Sequence, residues 1–250
     1  MFDTPSTRRN FICGALAGGA ALSLAAVHTP AKATPKHIVL LGDSILDNGA
    51  YVGNGPDVIE QLDNRLPLGS RATLQAIDGS LTSGVRLQLK IAPEDATHYV
   101  ISAGGNDALH YAGLIDEKAS SVADALERLA TVREAFALDY RAMLDDVLAK
   151  GRPVAVCTIY DARFPDPKQR RLSSLGLTIF NDCITREASA RGLALIDLRL
   201  IITDEKDLAN PIEPSVRGGA KIAEAILAFA STFDGSQGRC QVYTGTTTKS

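Results

Sequence analysis

The segment that decides the fold reads HIVLLGDSILDNG and covers residues 37–49. Ile38 to Leu41 are all apolar, a pattern typical of a strand that is buried on both faces. A Gly-Asp-Ser tripeptide follows at once and places Ser44 where a strand ends and a turn or helix begins. A hydroxyl at that position is exposed and lies near backbone N–H groups. Ser44 is therefore the first candidate functional residue.

Outward from this segment, short apolar runs alternate with stretches of helical periodicity. The further predicted strands are Ala72–Ile77, Tyr99–Ser102, Pro153–Ile159 and Leu193–Leu198, and the main predicted helices are Ser120–Lys150, Leu172–Arg191 and Val216–Phe229. Apolar strands separated by helices indicate a parallel sheet that is covered on both sides. We predict an α/β fold, a three-layer α/β/α sandwich with a five-stranded parallel sheet, whose ligand site lies at the carboxyl ends of the strands.

Composition limits the function classes. The 250 residues are 45% hydrophobic, which suits one domain, and with a net charge of -3 nothing suggests a nucleic-acid partner, which would need a clustered excess of Lys and Arg. No Cys or His spacing suggests a metal. We expect no cofactor, a small-molecule partner and a monomer. Cys157, Cys183 and Cys240 allow at most one disulfide, and whether Cys183 and Cys240 pair stays open.

The first 33 residues have the three parts of an export signal. Arg8 and Arg9 precede an apolar run from Cys13 to Val27, and Ala31-Lys32-Ala33 forms a small-residue cleavage site. The paired arginines resemble a twin-arginine signal, and the apolar run is shorter than the roughly 20 residues that span a bilayer. We expect residues 1–33 to be a cleaved export signal, 34–234 the domain and 235–250 a flexible polar tail. The mature protein is then periplasmic or secreted, without a membrane anchor.

Three loops that each follow a predicted strand carry the main resemblance. They contain Gly42-Asp43-Ser44, Asp78-Gly79-Ser80 and Gly104-Gly105-Asn106-Asp107. In this order the three motifs resemble the first blocks of the SGNH (GDSL-like) hydrolases. The resemblance implies a flavodoxin-like fold, a serine nucleophile at Ser44, and an oxyanion hole formed by the Ser44 N–H, the Gly79 N–H and the Asn106 amide.

The last block departs from that family. Where the family has Asp-x-x-His before the final helix, this chain has Asn210 and Glu213. In one interpretation Glu213 accepts the Ser44 proton and Asn210 offers an amide N–H that orients the carboxylate. A carboxylate is a weaker base than an imidazole, so desolvation would have to raise its pKa. In the other interpretation the protein is catalytically silent and binds an acylated glycan or another ester.

Four further residues are candidates for substrate binding: Asp43, Asp107, His110 and Tyr160. His110 lies four residues beyond Asn106 and is also a third candidate for the base. The preferred prediction is hydrolysis of a carboxylic ester, on a small-molecule ester or an acylated glycan, through an acyl-enzyme on Ser44.

Overall fold

A computed structural model describes residues 34–236 and 238–245. The export signal predicted for residues 1–33 lies outside the described residues. The strands are β1 (His37–Gly42), β2 (Arg71–Leu74), β3 (His98–Ser102), β4 (Val154–Cys157), β5 (Ala194–Ile196) and β6 (Gln241–Tyr243). The helices are α1 (Val58–Asp63), α2 (Val85–Lys90), α3 (Gly105–His110), α4 (Val122–Leu148), α5 (Pro167–Ala190), α6 (Leu198–Ile201) and α7 (Val216–Thr232). Of the helices in these ranges, none is long and apolar enough to cross a membrane.

All six strands form one parallel sheet in the order β2-β1-β3-β4-β5-β6. β1 lies between β2 and β3, with Val39 opposite both Thr73 and Tyr99. The order reverses at β1, because β2 lies on one side of it and all later strands lie on the other. Ligands of open parallel sheets bind outside the carboxyl ends of the strands at such a reversal.

Successive side chains of β1 point to opposite faces of the sheet. Ile38 and Leu40 belong to the apolar cluster that includes α1 and α7, whereas Val39 and Leu41 belong to the cluster that includes α2, α4 and α5. All four side chains are fully buried. The unbroken apolar run in the sequence therefore reflects helices on both faces, and the predicted three-layer sandwich is confirmed.

The sheet has six strands, whereas five were predicted. β6 pairs in parallel with β5, and its Tyr243 is buried edge-to-face against Phe229 of α7. Residues 241–243 therefore form an edge strand within the segment predicted to be a flexible tail. A three-residue strand carries too little periodicity to be recognised beside the Gly, Ser and Thr residues around it.

The cysteines of the described residues are all free thiols. Cys157 is buried inside β4, Cys183 is buried in α5, and Cys240 is partly exposed just before β6. The possible Cys183–Cys240 disulfide does not form. The domain is held together by packing and hydrogen bonds.

Gly42 joins the end of β1 to three other segments. Its N–H and C=O form two hydrogen bonds, of 2.7 and 2.8 Å, with the side-chain amide of Gln88 in α2, and its carbonyl also accepts the Ile77 N–H. Its φ is +124°, and a Cβ at this position would lie 1.7 Å from the Ser102 carbonyl oxygen. Only glycine fits between β1 and β3 here.

We expect Gly42→Ala to lower the free energy of unfolding by at least about 2 kcal/mol, because the methyl group meets backbone that cannot move and φ is unfavourable. Urea unfolding followed by circular dichroism measures this. Gly113→Ala is the matched control, since a Cβ there meets nothing within 4 Å. Equal stability of the two variants would contradict the close approach of β1 and β3.

Candidate active site

Ser44 lies in a turn that follows β1 directly. The N–H groups of Leu46 and Asp47 both donate to the Asp43 carbonyl, at 3.1 and 3.0 Å, so the chain turns sharply after the strand. The Asp43 carboxylate accepts the Ile45 N–H and the Ser102 hydroxyl, which fastens the turn to the end of β3. These bonds hold Ser44 at the carboxyl edge of the sheet, as the sequence predicts.

The Ser44 hydroxyl donates a hydrogen bond to Glu213. The distance from Oγ to Oε1 is 3.1 Å, and each residue is only 5% exposed. The prediction that the Ser44 hydroxyl is exposed is therefore wrong. The other carboxylate oxygen, Oε2, is buried and has no hydrogen-bond partner among the described residues. A buried acceptor without a partner is uncommon in folded proteins and is often tied to function. The structure thus brings together the nucleophile and base candidates, which are 169 residues apart in the chain.

Burial raises the pKa of the Glu213 carboxyl above its ordinary value. The negative charge of Asp78 raises this pKa further, and the hydrogen bond from Ser44 lowers it. A higher pKa makes the carboxylate a stronger base. Asp43 is fully enclosed beside it, and desolvation raises the pKa of Asp43 to about 7.

The loop that carries Glu213 is held by hydrogen bonds to its backbone. The Tyr160 hydroxyl donates to the Ile212 carbonyl, and the buried Asn48 amide donates to the Pro214 carbonyl at 3.1 Å. The next residue, Ser215, caps α7 by accepting the Gly218 N–H. Glu213 therefore has a defined position even though it lies in a loop.

The contacts of Asn210 with this loop differ from those predicted from the sequence. Its Oδ1 accepts the N–H groups of Ile212 and Glu213, both at 2.9 Å, and the residue is exposed. These bonds fix which end of the amide faces the loop, so its N–H does not orient the Glu213 carboxylate. The predicted role is corrected: Asn210 positions the Glu213 backbone through its oxygen.

The second and third motifs meet beside Ser44. Asn106, near the start of α3, lines the same cavity as Ser44 and donates one amide hydrogen to the Ser80 carbonyl at 3.1 Å. An amide has two donor hydrogens, so one is left for a ligand. The Asp78 N–H donates to Asp47, which ties the loop of Gly79 to the turn of Ser44. Gly79 has φ +78° and is exposed, but it is not among the residues that line the cavity.

Two of the four predicted substrate-binding residues lie elsewhere. The Asp107 carboxylate accepts the N–H and hydroxyl of Thr82, both at 3.0 Å, and so joins α3 to the turn before α2. His110 is exposed, with its ring edge-on to Tyr111. Neither residue lines the cavity, and the suggestion that His110 is the base is not supported. Asp43 and Tyr160 do line it.

A cavity of about 520 Å³ opens from Ser44, Asn106 and Glu213 and runs beneath α4 and α5. Sequence reasoning missed it, because its apolar lining belongs to helices that were assigned to the core. Leu126 and Leu129 recur at helical spacing with the other apolar residues of the predicted helix Ser120–Lys150, yet they are 60% and 37% exposed. The described residues contain no group of three or more His, Cys, Asp or Glu side chains that could hold a metal ion.

Solved structures with this fold are lipases and esterases. An extracellular lipase from Streptomyces rimosus is 20% identical, with a TM-score of 0.59, and the match covers 78% of this chain and 99% of that one. Phospholipase A1 from Streptomyces albidoflavus is 17% identical, with a TM-score of 0.56 and coverage of 75% and 95%. An acetyl xylan esterase from Geobacillus stearothermophilus is 16% identical, with a TM-score of 0.53 and coverage of 77% and 93%. At these identities the likeness shows the fold.

The amino-acid sequence shows to which family the chain belongs. The model of the GDSL-like Lipase/Acylhydrolase family matches residues 40–220, and the chain belongs to that family. Comparison with curated proteins gave no match. The protein is therefore a member of a family of hydrolases that act on esters, and its small-molecule substrates follow from that membership.

The role of Asn210 can be tested with two substitutions. Asn210→Asp keeps the oxygen that accepts the two N–H groups, whereas Asn210→Ala loses both bonds, each of about 1 kcal/mol. We expect Asn210→Ala to lower kcat/KM on p-nitrophenyl acetate by about tenfold, because the loop is then less well ordered. Asn210→Asp should stay within about twofold of the unmodified protein at pH values where Glu213 is fully ionised, because both bonds remain. Its added negative charge, like that of Asp78, should raise the Glu213 pKa. Equal losses in both variants would indicate that the amide N–H, which both variants lack, is the important group.

Proposed function

We propose that the protein hydrolyses carboxylic esters, with Ser44 as the nucleophile and Glu213 as the general base. The observation that carries this proposal is the hydrogen bond from Ser44 Oγ to Glu213 Oε1, buried at the end of a cavity that also holds the Asn106 amide. A nucleophile within hydrogen-bond reach of a base is the arrangement that activates a hydroxyl.

In the first half of the reaction Ser44 Oγ attacks the ester carbonyl carbon, and its proton passes to Glu213 Oε1. The carbonyl oxygen becomes negative and accepts hydrogen bonds from the Ser44 N–H and the free Asn106 hydrogen. The Gly79 N–H, the third donor that the resemblance implies, is left out of this step because Gly79 does not line the cavity. Loss of one such donor typically lowers the rate by about 10²- to 10³-fold. Collapse of this intermediate breaks the bond to the alcohol oxygen, which takes the proton from Glu213.

In the second half, water cleaves the acyl-enzyme. Glu213 removes a proton from water as it attacks the acyl carbon, and the proton returns to Ser44 Oγ when the acid leaves. A carboxylate therefore performs both steps that an imidazole performs in the familiar serine hydrolases.

The mechanism is tested by labelling with a fluorophosphonate and by turnover of p-nitrophenyl acetate. We expect Ser44→Ala to lose both, and Glu213→Gln to lower kcat by at least about 10²-fold, since general-base catalysis contributes 10²- to 10⁴-fold. His110→Ala is the control and should remain within about twofold of the unmodified protein, because this exposed ring lies outside the cavity. An unmodified protein that binds esters but neither reacts with the probe nor turns over would instead be the silent binder considered from the sequence.

The dependence of the rate on pH follows from the pKa of Glu213. The base acts only when ionised, so kcat/KM should fall with decreasing pH through an apparent pKa above the ordinary glutamate value of about 4.3. Asp78→Asn should move this limb to lower pH, because it removes a negative charge that raises the Glu213 pKa.

Asp234→Asn is the control for that shift. Asp234 follows the far end of α7, which is about 25 Å long, and charges at that distance are screened in 0.1 M salt. Profiles of kcat/KM against pH measure both variants. An acid limb that stays in place in Asp78→Asn would contradict the assignment of Glu213. A limb that persists in Glu213→Gln would report the Asp43 carboxyl, whose pKa is raised to about 7.

We also propose that residues 1–33 direct export of the folded enzyme to the periplasm or the medium. Arg8 and Arg9, the apolar run and Ala31-Lys32-Ala33 support this proposal. Replacing both arginines with lysine should leave the full-length chain in the cytoplasm, as measured by fractionation and mass of the product. Unchanged export of the double variant would rule out the twin-arginine route.

A further inference from the structure

The two long helices cover the sheet only along part of their length. The apolar stripe of α4 is buried from Val132 to Val147, whereas Leu126 and Leu129, closer to its N-terminus, are largely exposed. The residues of α5 before Phe180 are likewise not buried, and Phe180 is the first buried residue of that helix. The N-terminal halves of both helices therefore leave a space between themselves and the sheet.

This space is the cavity that begins at the candidate active site. Its polar end consists of Ser44, Asn106 and Glu213, and its remaining wall is mostly apolar. The apolar wall includes Leu109, Leu114, Leu129, Ile159, Phe164 and Leu172. A sugar would leave its hydroxyl groups without partners against such a wall, whereas a hydrocarbon chain would lose only contact with water.

Gly176 lies in the wall of the cavity, in the middle of α5. Leu172 and Phe180, four residues before and after it, line the same cavity, so the three share one face of the helix. A Cβ built on Gly176 meets no atom within 4 Å. By contrast, a Cβ on Gly218 of α7 would lie 2.1 Å from the Asp207 carbonyl oxygen.

Neither packing nor backbone conformation explains a glycine at this position. Its φ is not positive, and no neighbouring group approaches closely. Glycine is also the poorest helix former after proline. The absence of a side chain at Gly176 leaves room inside the cavity.

We propose that the preferred substrates are esters whose acyl group is an alkyl chain such as octanoyl, that this chain lies in the cavity beneath α4 and α5, and that Gly176 sets the length accepted. This inference rests on the proposed function for the position of the ester carbon at Ser44. Each methylene group transferred from water into the cavity strengthens binding by about fourfold.

The test compares p-nitrophenyl acetate with p-nitrophenyl octanoate in three proteins. The unmodified protein should have a kcat/KM for the octanoate at least about tenfold above that for the acetate. Gly176→Leu should lower the value for the octanoate at least about tenfold and leave the acetate within about twofold, because the added side chain takes up cavity volume that the octanoyl chain needs and the acetyl group does not. Gly113→Leu adds the same bulk at an exposed glycine outside the cavity and should match the unmodified protein with both esters.

Gly176→Ala is a second variant that keeps the test valid if Gly176→Leu misfolds. Alanine favours the helix, so its Tm should equal or exceed that of the unmodified protein, and the ratio of octanoate to acetate activity should still fall. Equal kcat/KM for the two esters in the unmodified protein would overturn the inference. So would a ratio unchanged in both Gly176 variants, and in either case acetate turnover would leave the proposed function standing.

A binding experiment distinguishes failure of the proposed function from failure of the proposed acyl site. Methyl octanoate is titrated by calorimetry into Ser44→Ala, with and without Gly176→Leu. Binding that Gly176→Leu weakens at least about tenfold would support the acyl site even if no ester were hydrolysed, which would overturn the proposed function alone. No detectable binding of methyl octanoate would count against the acyl site.

Discussion

The close contact between the ends of β1 and β3 is the constraint on which the rest of the site depends. Gly42 lies against the Ser102 carbonyl, the Asp43 N–H donates to that same carbonyl, and the Ser102 hydroxyl donates to the Asp43 carboxylate. Through Gln88 and the Ile77 N–H, the same junction fixes α2 and the loop of Gly79. Three segments that are distant in sequence are therefore positioned by one strand end, and a shift there would move the nucleophile and its surrounding donors together.

Much of this arrangement can be predicted from the sequence, because strand ends in a parallel sheet converge. The apolar run before Ser44 shows that β1 is central, and the motifs of Gly79 and Asn106 each follow a strand. This suffices to place Ser44 and Asn106 at one edge. The pairing of Ser44 with Glu213 is also predictable, since Glu213 stands where the family has its base. The sequence does not show which atom of Asn210 faces the loop, because its amide offers both a donor and an acceptor.

The remaining differences have a common physical origin. Asp107 directly follows Asn106, and α3 turns its side chain away by about 100°, so Asn106 lines the cavity while Asp107 does not. His110 lies one helical turn further along α3 and is exposed outside the cavity. Leu126, Leu129 and Gly176 follow helical periodicity like core residues. Periodicity identifies the face of a helix that points inward, but not whether anything fills the space beneath it. The cavity could be found only from coordinates.

In the proposed mechanism a carboxylate base and an apolar cavity support each other. Glutamate is a poor base in water, and only removal of water raises its pKa towards the range in which proton transfer from a hydroxyl is efficient. Burial supplies that desolvation at Glu213, which lines the same cavity as the leucine, isoleucine and phenylalanine side chains. In the proposed complex, an acyl chain in the cavity would displace further water from the neighbourhood of the carboxylate and strengthen its hydrogen bond with Ser44. Substrate binding and base strength would then be linked through the same apolar surface, a link that an imidazole base, with its higher ordinary pKa, needs less.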